Sequence, residues 1–457
     1  MSPGSGVCGR RFVLVLALLG GVAWTNPGRA QEGSPAGPVP PERLAARRAA
    51  LLERIGRGVV VIRSADERSM EDHPQDSDFR QDDDFFYLTG LETSGSWLVL
   101  VARESGPDSA ILYLPPRDPE MERWTGRKVG PGPEASRLTG IADVRSTERA
   151  EELRGWLTSP ASPARGGRFY FAAPEGPCRG QLCTSEAFRA LARADIEVAD
   201  PRPFLAMLRL VKDEDELRRL RRAIEITTAA QREAMRAVAP GMWEYELEAL
   251  IEYTFRRQGA ERVGFPSIVG SGPNATILHY VQSRRQMQEG DLVVVDIGAE
   301  YGYYTADVTR TFPVSGRFTP RQRALYELVL GAQDAAVRAV RPGVTIAHLD
   351  RIAREYMRAN SGDLCRPVTC DRFFVHGLSH WLGMDVHDVG ALSTPLVPGM
   401  VLTIEPGIYI PDEGIGIRIE DDVLVTATGH EVLSRDAPRE PEEIERLMAE
   451  GRGRAGR

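Results

Sequence analysis

From Arg43 to Pro203, short apolar runs alternate with stretches of helical spacing. Val59 to Ile62, Trp97 to Ala102, Ile111 to Leu114 and Phe169 to Ala172 have strand length, and their alternation with helical patterns predicts an α/β domain. Pro201-Arg202-Pro203 marks its end. Beyond it, Leu217, Leu220, Ile224, Met235 and Val238 keep helical spacing until Pro240-Gly241 stops the pattern. Leu247, Leu250, Ile251, Thr254 and Phe255 predict a second helix, closed by Gly259. A strand from Gly290 to Asp296 then ends on an acid. The order recurs: a helix near Arg323 to Val340 ends at Pro342-Gly343, another follows from Thr345 to Asn360, and a strand from Gly399 ends on Glu405. The Pro-Gly stops are offset by 102 and the acids by 109, which reads as an internal duplication of two helix–helix–hairpin halves.

Each half holds a hairpin that concentrates negative charge. With Tyr301-Gly302 as a two-residue turn, Asp296 falls opposite Asp307; symmetry about Asp412-Glu413 sets Glu405 opposite Glu420. Like charges facing each other destabilise a strand pair, and a buried unpaired carboxylate costs several kcal/mol. A cation that neutralises all four acids is the simplest resolution. Of the seven histidines, His376, His380 and His387 crowd into HGLSHWLGMDVHD, where Gly377 and Gly383 argue against a regular helix. His73, His348 and His430 read as solvated surface residues, and His279 on its own reads as structural. Four carboxylates and one imidazole suit two metals roughly 3.5–4 Å apart. The oxygen-rich set favours Mn²⁺, with Co²⁺, Fe²⁺ and Zn²⁺ compatible.

The remaining sequence narrows the class. A chain of 457 residues exceeds one compact core and predicts two domains. Hydrophobic content of 42% with 27% charged residues is ordinary for a globular protein, and a net charge of −8 offers no basic surface for nucleic acid. Arg10-Arg11 precede an apolar run from Phe12 to Trp24, too short for a bilayer, which needs about 20 residues. Small residues through Ala30 follow, so 1–30 reads as a signal peptide and the protein as exported, periplasmic or secreted, without membrane insertion once the leader is removed. Residues 31–41 read as a flexible lead-in. Cys8 lies in the leader; Cys178, Cys183, Cys365 and Cys370 remain, with two local loops the simplest of three pairings.

The chain resembles the Xaa-Pro aminopeptidases (the aminopeptidase P family) among the pita-bread metallopeptidases. The resemblance rests on DFFYLTG, ATILHY, VVVDIGAEYGYYTADVTRTFP, HGLSHWLGMDVHDVG, TIEPGIYI and RIEDDVLVT. It implies an N-terminal creatinase-like α/β domain over 42–204, a pseudo-two-fold pita-bread catalytic domain over 205–450, and a tail over 451–457. It implies two metal ions on Asp296, Asp307, His380, Glu405 and Glu420. It implies catalytic or substrate-positioning roles for His279, His376 and His387, with Tyr409 and Arg418 as relay groups behind the ligands. The reaction expected is hydrolysis between an N-terminal residue and a following proline by a hydroxide bridging two cations. Glu405 would move the proton, His376 would stabilise the oxyanion, and His279 and His387 would position the scissile carbonyl and the proline ring. Peptides with proline at the second position are the expected partners, and a homo-oligomer, dimer or tetramer, is expected. An Xaa-Pro dipeptidase (prolidase) is the nearest alternative; a non-catalytic pita-bread binding module should have lost ligands, and all five are present.

Overall fold

The computed structural model describes residues 35–67, 78–103, 108–160, 162–164, 167–173, 196 and 198–455. The leader, His73, Cys178 and Cys183 lie outside them. Six strands form the N-terminal sheet: β1 (Gly58–Arg63), β2 (Trp97–Ala102), β3 (Ser109–Leu114), β4 (Asp143–Ser146), β5 (Arg168–Ala172) and β6 (Val198–Ala199), in the order β4-β3-β2-β1-β5-β6. β1 runs antiparallel to β2 and parallel to β5, so the sheet is mixed. Both faces are covered. Val60 and Ile62 enter the main core while Val59 and Val61 enter a second core on the other face, which is why β1 reads as unbroken apolar sequence. From residue 35 the lead-in is packed rather than loose: Ala36 and Val39 are buried, and helix Pro41–Ile55 follows directly.

The expected boundary at 204 falls inside helix Arg202–Leu210. Pro203 is tolerated there because first-turn amides have no intrahelical acceptor. The C-terminal domain then builds two like halves. Helix Glu214–Ala237 starts on an Asp213–Glu216 capping box, and helix Pro320–Ala339 starts on one made by Thr319 and Gln322. Each is followed by a second helix, Glu244–Arg257 or Ile346–Asn360, and then by strands carrying the acids. In the first half Leu292–Ile297 pairs with Ile268–Ser271 and Val308–Pro313; in the second Val401–Ile404 pairs with Asp421–Val425, and Gly407–Ile410 with Ile415–Arg418. Helix Pro441–Ala455 carries the domain past the expected end at 450 and packs on the first half. Cys365 and Cys370 form a disulfide. Among the described residues no helix is long and apolar enough to cross a membrane.

The first hairpin differs from the expected register. Tyr301 pairs with Tyr304, so the turn is Gly302-Tyr303 and Asp296 faces Thr309 instead of Asp307. Both turn residues have positive φ, 58° and 71°, the signature of a type I′ turn. Tyr303 is held in this disfavoured conformation from the other domain: it stacks on Phe86 with ring centroids 3.7 Å apart, and its hydroxyl accepts from the Gln81 amide. A slip of two residues keeps every side chain on its face, so Asp296 and Asp307 still point the same way. The second hairpin has the expected register, with Ile404 opposite Asp421 and Gly407 opposite Arg418 on either side of Glu405 and Glu420.

Candidate metal centre

Strand ends and one irregular loop bring the expected ligands together. Asp296 comes from the central strand of the first half, Asp307 from the start of its partner, and Glu405 and Glu420 from the break between the two ladders of the second half. His380 lies in a segment without helix or strand, pinned by an isolated bridge between Trp381 and Leu402. Its Nδ1 donates to the Trp381 carbonyl at 3.1 Å, which leaves Nε2 as a free lone pair 3.3 Å from Asp307 Oδ2 and 3.4 Å from Glu405 Oε1. Ligand atoms of Asp307, His380 and Glu420 lie within 4.8 Å of one another.

These residues suit cations because the protein alone leaves the acids unsatisfied. Asp296 Oδ1, Asp307 Oδ1 and Asp422 Oδ1 are buried without hydrogen-bond partners. Burial, then the charges of Asp296, Asp422 and Glu405, push the Asp307 carboxyl well above its usual range. Burial followed by Asp307 and Glu405 does the same to Glu420. Glu405 is raised to about 7, burial outweighing the opposing charges of His380 and Arg418. A divalent cation would occupy the orphaned lone pairs and remove the repulsion.

Behind the acids runs a hydrogen-bonded chain. Arg418 donates to Asp296 Oδ2 at 2.6 Å and to the Tyr409 hydroxyl at 2.8 Å. The hydroxyl in turn lies 2.8 Å from His376 Nε2, and His376 Nδ1 lies 2.8 Å from the Gly377 carbonyl. Since a carbonyl only accepts, Nδ1 donates to it and Nε2 accepts from Tyr409 in the neutral ring. Burial, then Arg418, lowers His376 to about 4, so neutral is the state at physiological pH. Both of its nitrogens are engaged. The free N–H that an oxyanion role requires is therefore absent from this arrangement. His279 and His387 are exposed at the mouth of the same cavity, of about 590 Å³, with Phe265, Pro266, Leu278 and Val281 as its apolar wall. His387 sits edge-on to His380 at 4.4 Å, and partial burial of its ring, followed by the neighbouring imidazoles, lowers its pKa. His348 and His430 are half-buried and line no part of the cavity; His430 Nδ1 lies 3.0 Å from the Val340 carbonyl.

Sequence reasoning missed several supporting groups. Asp422 accepts the Asp307 backbone N–H at 3.2 Å, and the Thr309 hydroxyl donates to Glu420 Oε2 at 2.6 Å. Glu244, fully buried, accepts from the Ser271 amide, the Tyr280 hydroxyl and the Arg285 amide, tying down the loop that presents His279. Asp388, next to His387, is gripped by Arg209 at 2.7 Å and Lys212 at 3.4 Å, and Arg209 also holds Asp83 and Asp84 of the DFFYLTG helix. The run of three acids from Glu420 was the only local signal for any of these.

Comparisons with known proteins agree with this geometry. Residues 218–427 match the model of metallopeptidase family M24, and residues 44–162 match that of the aminopeptidase P N-terminal domain. The Xaa-Pro aminopeptidase of Escherichia coli K12 is 37% identical over 430 residues, covering 89% of this chain and 97% of its own. Among solved structures, proline aminopeptidase P II from Yersinia pestis superposes with a TM-score of 0.79 at 36% identity, over 90% of this chain and all of that one. Aminopeptidase P from E. coli with the inhibitor Pro-Leu gives 0.80 at 35% identity, over 91% of this chain and all of that one.

Proposed function

The chain belongs to metallopeptidase family M24 and is a metal-dependent aminopeptidase for peptides with proline at the second position; on that premise we propose how its residues divide the work. Its two domains are those of aminopeptidase P, an N-terminal α/β domain and a pita-bread catalytic domain. Asp296, Asp307, His380, Glu405 and Glu420 would hold two divalent cations, and four carboxylates with one imidazole favour Mn²⁺. When bound, the cations supply Lewis acidity to the scissile carbonyl and to the attacking water.

The remaining steps fall to the side chains. Glu405, at the edge of the cation site, would take a proton from water and return it to the proline nitrogen, which leaves as a secondary amine. The chain from Arg418 through Tyr409 to His376 fixes Asp296 and keeps His376 neutral. A direct oxyanion role for His376 would require Nδ1–H to leave the Gly377 carbonyl; we therefore assign it to positioning. His279 and His387 would orient the carbonyl and the proline ring against the apolar wall. The N-terminal domain would limit extension beyond the first residue.

The observation that carries this reading is the convergence of five ligand side chains around buried, unpartnered aspartate oxygens in an open cavity. Turnover of Xaa-Pro-Yaa, Xaa-Ala-Yaa and Xaa-Pro by metal-stripped protein resupplied with Mn²⁺ tests it. Cleavage of the first alone is expected. Equal cleavage of Xaa-Ala-Yaa would contradict it, and preference for Xaa-Pro would revive the dipeptidase reading that the relatives do not favour. We further propose export, supported by the apolar leader and by the Cys365–Cys370 disulfide, since disulfides persist in oxidising compartments. Fractionation with sequencing of the mature N-terminus tests it: residue 31 is expected first, and an intact leader in the cytoplasm would contradict it. A homo-oligomer is the remaining proposal, open to light scattering.

A further inference from the structure

The two halves share a device that neither the ligand set nor the hydrogen-bonded chain behind it explains. Gln231 lies on helix Glu214–Ala237 and Gln333 on helix Pro320–Ala339, each nine residues before its Pro-Gly stop. Both are completely buried. Gln231 Nε2 donates to the Val295 carbonyl at 2.9 Å and to the Val308 carbonyl at 2.8 Å. Val295 precedes Asp296, and Val308 follows Asp307. Gln333 Nε2 lies 3.2 Å from the Ile404 carbonyl and 3.1 Å from the Ile419 carbonyl, with Asp421 Oδ2 at 3.0 Å. Ile404 precedes Glu405, and Ile419 precedes Glu420. Each amide therefore spans two strands at residues adjacent to a pair of carboxylates.

We infer that Gln231 and Gln333 are positioning residues for the metal centre, each fixing the separation of one pair of carboxylates. An amide nitrogen offers two hydrogens in one plane, so at Gln231 two carbonyl acceptors set both its orientation and the distance between the strands; at Gln333 the two hydrogens are shared among two carbonyls and the Asp421 carboxylate. The opposite flip would aim the amide oxygen at two carbonyls. Gln231 accepts a penalty for this placement, because its Oε1 is buried without a partner. An apolar residue of the same length would avoid that penalty if filling the core were the only task. The Gln333 oxygen is satisfied by Arg439 at 3.1 Å. Asp307 lies just outside the ladder that ends at Val308, and Glu405 and Glu420 sit in the break between two ladders, so a fixed clamp beside them resists repulsion between the acids before cations arrive.

The inference rests on the two-cation reading, and the test separates the two. Metal-stripped wild-type, Gln231→Met and Gln333→Met proteins are titrated with Mn²⁺ by calorimetry, their melting temperatures measured without metal, and their Co²⁺ spectra recorded. Methionine matches glutamine in length and flexibility but donates nothing. Wild type should bind two ions; each variant should bind Mn²⁺ about 10–100-fold more weakly at one or both sites, the usual effect of losing a group that orients a ligand. The metal-free Gln231→Met protein should remain folded, and its Co²⁺ spectrum should change. Wild-type Mn²⁺ affinities in both variants would overturn the clamp while leaving the metal centre intact. Metal-free variants that fail to fold would assign the glutamines to the core and also overturn it. Wild-type protein that binds no Mn²⁺ would remove both readings together.

Discussion

Removing the cations should cost more stability the higher the pH. Glu405 carries the clearest magnitude: burial raises its carboxyl from 4.5 to about 7 in the metal-free fold, while the unfolded chain ionises near the ordinary value. Between those limits the metal-free native state holds a proton that the unfolded chain has released, so its stability falls as pH rises from about 4.5 to 7. At about 1.4 kcal/mol per pH unit, the loss is roughly 3 kcal/mol. Asp307, Glu420 and Asp422 are pushed the same way, mainly by burial, and add to it. A bound cation replaces those protons, so loaded protein escapes this loss and binds more tightly as pH rises. Scanning calorimetry of stripped and Mn²⁺-loaded protein between pH 5 and 8 reads the difference, in which titrations elsewhere in the molecule cancel. The gap in melting temperature should widen with pH, by about 5–10 °C on the scale of a 150–250-residue domain. A gap that stays constant or narrows would show that these carboxylates do not exchange protons for metal.

His380→Ala removes the single imidazole among the five proposed ligands; metal analysis should show fewer than two ions per chain and turnover should vanish, whereas two ions with wild-type turnover would exclude it as a ligand. His376→Ala should retain both ions while kcat falls about 10–100-fold and KM changes little, because Tyr409 and Arg418 lose the group that orients them. An unchanged kcat in stable, fully loaded protein would remove His376 from the mechanism. Arg209→Met leaves Asp83, Asp84 and Asp388 buried without their shared cation and should lower unfolding free energy by ~3–5 kcal/mol in denaturant titration. A change below ~1 kcal/mol would mean that water already screens the cluster.

The convergence of the four acids was legible because strand alternation and hairpin symmetry depend only on local spacing, whereas His380 was reached through the family resemblance. The second hairpin kept the register expected from its turn. The first slipped by two because Gly302-Tyr303 forms the turn, with Tyr303 held at positive φ by Phe86 and Gln81, over two hundred residues away. No local rule carries that contact. The acids still face one site because a slip of two restores the face of every residue. The supporting groups were illegible for the same reason. Arg209 and Asp388 are 179 residues apart, and Glu244 serves a loop that begins 27 residues later, so only the folded chain shows that they meet. Asp422 could have been suspected from its place in an acidic run on an apolar strand. The duplicated glutamines stood at equal distances from the Pro-Gly stops, yet a lone buried amide has no motif.

On the proposed function, five residues hold two cations, and these switch on cleavage before a proline nitrogen. Stepwise addition of Mn²⁺ to chelator-stripped protein, with bound metal and Xaa-Pro-Yaa cleavage followed in the same samples, tests it most directly. Activity should be absent without metal, return as the ions bind, and level off when two are bound per chain. Full cleavage by stripped protein, or no cleavage with both ions bound, would contradict it.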